Sequence, residues 1–210
     1  MNLADGIKVL VLDLPAGAEE KLAAYLALLV KWNKVYNLTA IRKPEEMVTH
    51  HLLDSLAVMP AIQKSALVER REGGEPYALA DVGSGAGLPG LVLAIARPDW
   101  SITSIETVDK KAAFQRQVKI ELGLSNVSIH CGRVEDVKET FAAVISRAFA
   151  SLADFVRLAG HLSPCLWAMK GGYPADEVAA LPAGWRVAAN HALTVPGLNA
   201  ERHLLLLEKT

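Results

Sequence analysis

Ala80-Asp81-Val82-Gly83-Ser84-Gly85-Ala86-Gly87-Leu88-Pro89-Gly90 decides the fold. It follows the apolar segment Tyr77–Ala80 and precedes Leu91-Val92-Leu93-Ala94-Ile95-Ala96, so it reads as strand, tight glycine turn and helix. Gly83, Gly85 and Gly87 stand at alternate positions, where the lack of a Cβ lets the backbone approach a ligand and adopt φ values closed to other residues. The helix start then presents free N–H groups to polar ligand atoms. Such a turn holds a nucleotide-like ligand at the carboxyl ends of parallel strands.

The spacing narrows the ligand. A dinucleotide fingerprint requires G-x-G-x-x-G, and here Leu88 takes the place of the third glycine. Asp81, just before the loop, repels a diphosphate and suits a cationic, amino-bearing ligand. S-adenosylmethionine, with its sulfonium and ammonium groups, meets that requirement. The chain contains no G-x-x-x-x-G-K-[ST], which argues against a P-loop NTPase. Ser101-Ile102-Thr103-Ser104-Ile105-Glu106 alternates polar and apolar residues, the pattern of a second strand. It ends on Glu106, roughly 20 residues after the glycine loop, where nucleotide-binding folds place a ribose-binding acid. One carboxylate has acceptor sites for both ribose hydroxyls.

At 210 residues, 51% of them hydrophobic, the chain can bury one sizeable α/β core with a short appendage. The formal net charge of −1 does not announce a nucleic-acid partner, so any such surface must be a local patch. No stretch reaches the ~18 apolar residues of a membrane span. Residues 1–17 lack the charged, apolar and small-residue regions of a signal peptide, and a cytoplasmic location is expected. Cys131 and Cys165 fall in strand-like runs with no ligand spacing near them; neither a disulfide framework nor a metal site is expected, and both read as reduced core residues.

Leu22, Tyr25, Leu26, Leu29 and Trp32 recur at helical spacing over Glu19–Asn33. A second helix opens at Pro44-Glu45-Glu46 and runs to Pro60, with proline and two acids in its first turn. Glu69–Pro76 is charged and glycine-containing, a loop or linker. Residues 1–76 are thus expected to form an N-terminal helical appendage, and 77–210 one compact domain. From Tyr77 onward strands alternate with helices: strands at Tyr77–Val82, Ser101–Glu106, Val127–Cys131, Ala142–Ser146 and Cys165–Lys170, helices at Leu88–Ala96, Lys110–Leu122, Leu152–His161 and after Pro174. Alternation with short links implies a parallel sheet covered on both faces. Trp185–Leu193 and Arg202–Lys209 form a hairpin, which adds an antiparallel final strand. The expected fold is α/β: a Rossmann-like, mostly parallel seven-stranded sheet of the class I S-adenosylmethionine-dependent methyltransferase type.

Four segments occur together and in order: Trp32-Asn33-Lys34-Val35-Tyr36-Asn37-Leu38-Thr39, the stretch Glu45 to Ser55 containing His50-His51-Leu52-Leu53-Asp54-Ser55, the loop Asp81–Gly90, and Ile145-Ser146-Arg147-Ala148-Phe149-Ala150. Over nearly its whole length the chain resembles the bacterial small-subunit rRNA guanine-N7 methyltransferase G family, also called glucose-inhibited division protein B. The glycine loop is common to many methyltransferases; W-N-x-x-Y-N-L-T with S-R-A-F-A is the specific combination. The resemblance implies methylation by S-adenosylmethionine at N7 of one guanine, guanine 527, in the 530 loop of 16S rRNA, with 16S rRNA or the small ribosomal subunit as partner. A monomer is the default expectation, since nothing in the sequence reads out an oligomeric state. It implies that Gly83 and Leu88 contact the cofactor, that Val134 and Glu135 in Arg133-Val134-Glu135 bracket its adenine, and that Arg147 lies near the cofactor and the active-site mouth. Lys170 matches the family's strand-five lysine. Two departures are visible: Ile105-Glu106-Thr107 where the family often has L-D-S, and Lys110-Lys111 where lysine and arginine are usual.

Guanine N7 has a lone pair and no proton, so methyl transfer to it is an in-line displacement that needs no general base. Positioning is the expected contribution, with Arg147 and Lys170 as the catalytic-site residues and Asp81, Gly83, Ser84, Gly85, Gly87, Leu88, Glu106, Val134, Glu135 and Arg147 around the cofactor. Arg147 is expected to hold a phosphate or the cofactor carboxylate, for which its planar fork is suited. RNA phosphates require local positive groups, and Arg42, Lys43, Lys110, Lys111, Arg133 and Lys170 are the candidates, with Asn37 facing the base. For Asn37 a helix C-cap is an equal alternative, for the basic run a solvated helix face, for His50 and His51 packed or capped side chains, and for Phe149 either base stacking or core. Three other functions stay open at this point: a methyltransferase for another RNA base or a small molecule, a nicotinamide-dependent oxidoreductase, and a non-catalytic assembly factor.

Overall fold

A computed structural model describes residues 1–65, 76–147 and 149–210. Of the expected Glu69–Pro76 link, residues 69–75 lie outside the described residues, as does Ala148 of the S-R-A-F-A segment. The strands are β1 (Tyr77–Val82), β2 (Trp100–Glu106), β3 (Val127–Cys131), β4 (Ala143–Ser146), β5 (Cys165–Lys170), β6 (Trp185–Ala192) and β7 (His203–Lys209). They form one seven-stranded sheet in the order β3-β2-β1-β4-β5-β7-β6. β1 to β5 pair in parallel, and β7 runs antiparallel to both β5 and β6. The order reverses direction at β1, a topological switch point where open α/β sheets bind ligands. The register sets Lys170 at the end of β5 opposite His203 at the start of β7. One rim of the sheet therefore gathers the carboxyl ends of five strands and the amino end of β7.

The helix Ala18–Tyr36 (α2) buries Leu22, Tyr25, Leu28 and Leu29, a stripe at i, i+3, i+6 and i+7. It ends at Asn37, whose left-handed φ of 49° closes the last turn while its N–H donates to the Asn33 carbonyl. Every residue of Gly90–Ala96 (α6) is buried, because this helix lies between the sheet and the N-terminal helices. Leu22, Leu29, Met47, Leu52 and Leu56 share one apolar cluster with Leu91, Trp100 and Phe114. The opposite face of the sheet is covered by Leu152–Ala159 (α8), with Val144, Phe155, Leu162 and Leu205 in a second cluster. Ser151 caps α8, its hydroxyl accepting from the Asp154 N–H at 3.0 Å.

Three sequence expectations change. The expected single helix from Pro44 to Pro60 is broken into α-helical pieces at Pro44–Met47 (α3), Asp54–Leu56 (α4) and Met59–Gln63 (α5), with a π-helical segment, Val48–Leu53, between the first two. Apolar spacing does not distinguish the wider turn, which sequence reads as an ordinary helix. A further helix, Leu3–Val9 (α1), precedes α2, capped by Asn2. Cys131 is not a core residue: it lies at the end of β3, part-exposed, its thiol donating to Asp109 Oδ1 at 3.2 Å.

Candidate active site

Gly83, Gly85 and Gly87 have φ of 68°, 61° and 84°. The first two are the cradle: a Cβ built at Gly83 or Gly85 meets nothing within 4 Å, so open space fronts both. Gly87 is different, since a Cβ there collides with the Leu91 side chain. The loop is tied to β2, Gly83 N–H donating to the Ile105 carbonyl at 2.9 Å.

Glu106 ends β2 beneath the loop and is 5% exposed. Its Oε2 accepts from the Gly85 N–H at 2.7 Å and its Oε1 from the Val108 N–H at 2.9 Å. Each oxygen keeps a second acceptor site, so the carboxylate is aimed by two amides and still able to take hydroxyl donors. Beside it lies a recess of about 300 Å³ lined by Gly83, Thr107, Arg133, Val134, Glu135 and Phe149. Phe149 neither enters the core nor stands free; it stacks on Phe155 with ring centroids 4.9 Å apart and walls the recess. Apolar walls, two carboxylates and an open glycine cradle fit an adenosyl group carrying a ribose.

Two expected cofactor ligands turn inward instead. Asp81 is fully buried; its Oδ2 accepts from the Gly90 N–H at 2.7 Å at the start of α6, and Oδ1 has no hydrogen-bond partner in the structure. Burial pushes its carboxyl up to about 7, against the lowering effects of the Gly90 amide and Arg147. Ser84 is also buried, its hydroxyl 2.5 Å from that of Ser104 and accepting from Gln115 Nε2 at 2.8 Å. Gln115 Nε2 donates to the Gly85 carbonyl as well, at 2.8 Å. These residues hold the loop's shape from behind. Tyr25 does the same from α2, donating its hydroxyl to the Ala86 carbonyl at 2.9 Å across 61 residues of sequence. Leu88 is 3% exposed and Val134 7%, both at the loop and recess floor.

A second recess, of about 340 Å³, opens at the same rim where the N-terminal helices meet β4, β5 and β7. Arg147, just after β4, donates from Nη1 to the His50 carbonyl at 3.0 Å and lies 3.4 Å from Asp54 Oδ2. Lys170 lines the same recess and donates to Glu177 Oε2 at 2.8 Å and Oε1 at 3.1 Å. His51 is buried with Nε2 2.9 Å from Thr39 Oγ1; burial first, and Arg147 second, push its pKa down to about 4. His50 Nδ1 is 2.9 Å from the Glu46 carbonyl. Among the described residues no His, Cys, Asp and Glu group is arranged to hold a metal ion.

Across residues 18–205 the sequence matches the family model described as rRNA small subunit methyltransferase G. The chain belongs to that family. A ribosomal RNA small subunit methyltransferase G from Azoarcus sp. (strain BH72) is 58% identical over 213 residues, covering 99% of this chain and 95% of the relative. Its counterpart from Aromatoleum aromaticum is 53% identical, covering 99% and 98%. In the solved structures the fold recurs at low identity. Magnesium protoporphyrin IX methyltransferase from Synechocystis, with bound S-adenosylmethionine, aligns with TM-score 0.58 and 10% identity over 89% of this chain and 97% of that one. TrmN from Thermus thermophilus aligns with TM-score 0.55 and 17% identity over 78% and 53%. The Rossmann-like methyltransferase fold expected from the glycine loop is the fold observed.

The candidate RNA-contacting residues of the sequence reading lie as follows. Arg133 is exposed and pairs with Glu135 at 2.7 Å. Lys110 is exposed and Lys111 part-exposed, both in the first turn of Asp109–Glu121 (α7). Arg42 and Lys43 are exposed and adjoin Ile41, which lines the second recess. Lys43 pairs with Glu46 at 3.1 Å. Asn37 is the C-cap of α2 and its side-chain oxygen accepts from Arg42 Nη2 at 3.3 Å. Sequence reading missed Tyr25 and Gln115, which brace the loop, and Arg202, which enters the second recess from the start of β7. Nothing in the local pattern of Arg202 marks it.

Among the described residues no helix is long and apolar enough to cross a membrane.

Proposed function

We propose that this chain transfers a methyl group from S-adenosylmethionine to N7 of guanine 527 in the 530 loop of 16S rRNA. The observation that carries this reading, beside family membership, is the juxtaposition at one sheet rim of an open glycine cradle over Glu106 and a recess bearing Arg147 and Lys170. When bound, S-adenosylmethionine supplies an electrophilic methyl on its sulfonium, which in-line displacement delivers to the N7 lone pair.

The protein's part is placement. Glu106, aimed by the Gly85 and Val108 amides, receives the ribose hydroxyls, and Val134 and Glu135 flank the adenine in the recess they line. Holding two reactants in line can lower a barrier by roughly 7–11 kcal/mol, and no side chain has to move a proton. Arg147 is anchored to the N-terminal helices through the His50 carbonyl and Asp54, so the segment Val48–Leu56 that carries them forms one wall of the substrate side. The exposed cations Arg42, Lys43, Lys110 and Arg133, with the part-exposed Lys111, supply local positive charge for RNA on a chain whose net charge is −1.

The test is transfer of labelled methyl from S-adenosylmethionine to unmodified small ribosomal subunits and to naked 16S rRNA, followed by mapping of the modified base. A single label at N7 of guanine 527 is the expected result. Label on another base, or none on either substrate, overturns the reading.

A further inference from the structure

We infer that Arg202, held beside Arg147 by the buried carboxylate of Asp54, completes a clamp for an RNA phosphodiester in the second recess. The inference rests on the rRNA methyltransferase reading and assigns a residue that reading leaves out.

Arg202 immediately precedes β7, the strand that runs against β5. Antiparallel pairing therefore delivers it to the same rim as the carboxyl ends of β1 to β5, a placement no parallel final strand would give. Its Nε donates to Asp54 Oδ1 at 2.9 Å and its Nη1 to the Glu201 carbonyl at 2.8 Å. Asp54, with a side chain only 4% exposed, presents its other oxygen to Arg147 Nη1 at 3.4 Å. One carboxylate thus fixes two guanidiniums whose side chains are 25% and 26% exposed, each still reachable from the recess. Lys170 is already matched by Glu177. Two arginines against one aspartate leave a positive excess, and a buried anion that orients cations builds a site for a second anion rather than cancelling the charge.

A phosphodiester fits that excess. Guanidinium forks bind phosphate oxygens by paired, charge-assisted hydrogen bonds. The recess adjoins the Arg42–Lys43 loop through Ile41, which continues the cationic path outward. Asp54 is a positioning residue here; Arg202 makes the contact.

The test compares wild-type protein with Arg202→Gln, Arg202→Lys, Asp54→Asn and the control Arg186→Gln. Arg186 pairs with Glu208 at the far end of the same β6–β7 hairpin, so it removes equal charge from elsewhere. Methylation of small subunits is followed from 50 to 200 mM KCl, binding of a fluorescent 16S rRNA transcript over the same range, and S-adenosylmethionine affinity by calorimetry. For Arg202→Gln the KM for the subunit rises about tenfold or more, and the slope of log affinity against log salt falls by about 0.7–0.9, the loss of one phosphate contact. Arg202→Lys restores the slope but not the full affinity, because a point charge replaces the fork. Cofactor affinity stays within about twofold of wild type, as binding energy is lost on the RNA side alone. Asp54→Asn raises the KM in the same direction as Arg202→Gln, and Arg186→Gln leaves the slope unchanged. An unchanged slope for Arg202→Gln, or a fall in cofactor affinity matching the loss of kcat/KM, overturns the clamp; the second result would place the arginines on the cofactor carboxylate. If the wild type transfers no methyl to the subunit, the methyltransferase reading fails, while the transcript-binding slope still decides for or against the clamp.

Discussion

Replacing Gly83 by alanine separates backbone strain from cofactor contact. At φ of 68° an L-residue costs roughly 1–2 kcal/mol. In a chain of this length each kcal/mol moves the melting temperature by about 2–4 °C, so the apo variant melts roughly 2–8 °C lower. Gly123, at φ of 60° with equally open space around it, follows the carboxyl end of α7. Gly123→Ala carries the same strain and serves as the reference. The two variants part when S-adenosylmethionine is added. The Gly83 methyl projects into the cradle, and one misplaced methyl in a fitted pocket is worth about 1–3 kcal/mol, or roughly 10–200-fold in affinity. With ligand at 100 times the wild-type Kd, wild type and Gly123→Ala gain about 2.7 kcal/mol. A tenfold weaker Gly83→Ala gains only about 1.4 kcal/mol and a hundredfold weaker one about 0.4 kcal/mol. Thermal-shift titration reads the difference, and calorimetry gives the Kd directly. A Gly83→Ala protein that loses stability yet keeps the full cofactor-induced shift would refute the cradle.

Tyr25→Phe removes the hydroxyl that meets the Ala86 carbonyl and leaves that acceptor unpaired, a loss of roughly 1–3 kcal/mol; urea midpoints measure it, with a weaker cofactor affinity expected because the loop loses a brace. Asp81 gives a pH signature. Its carboxyl is held near 7 against an unfolded value of 3.8, so its contribution is fully present below pH 4 and is lost as pH rises through 7. Asp81→Asn abolishes that dependence, and its stability relative to wild type improves from pH 5 to pH 8; urea denaturation at the two pH values checks it. Glu106→Ala frees the Gly85 and Val108 amides and removes the ribose acceptor, so cofactor affinity falls by about tenfold or more while RNA binding by anisotropy is preserved, each hydrogen bond to a charged group being worth roughly 1.5–3 kcal/mol.

The glycine loop was legible because its chemistry is local: three left-handed φ values admit glycine and little else, and apolar runs on either side announce strand and helix. Alternation of strands and helices announced a parallel sheet, and the hairpin Trp185–Leu193 with Arg202–Lys209 its antiparallel end; the order of the strands in it comes from the structure alone. What the loop residues face was not legible. Asp81 and Ser84 look like ligand contacts in a one-dimensional reading, and only the packing of α6 and α7 turns them inward to Gly90 and Gln115. The π-helical turn at Val48–Leu53 was hidden for a related reason. An apolar pattern reports which face is buried, and Thr49, His51, Leu52 and Leu53 are all buried there, whichever carbonyl closes each turn. Arg202 lies 148 residues from its partner Asp54, and no spacing rule connects residues that only the β5–β7 antiparallel register brings together.

The bond from Tyr25 to Ala86 has a meaning for biosynthesis. Ribosomes release a chain from its amino end, so α2 is exposed before the strand and helix that shelter it have been made. Its apolar stripe, Leu22, Tyr25 and Leu29, waits for Leu91 and Trp100, and nearly half the protein must be translated before that wait ends. Until β1 and α6 have been made, the stripe has no sheet-side partner, and a chain cut within the first eighty residues would show it to water.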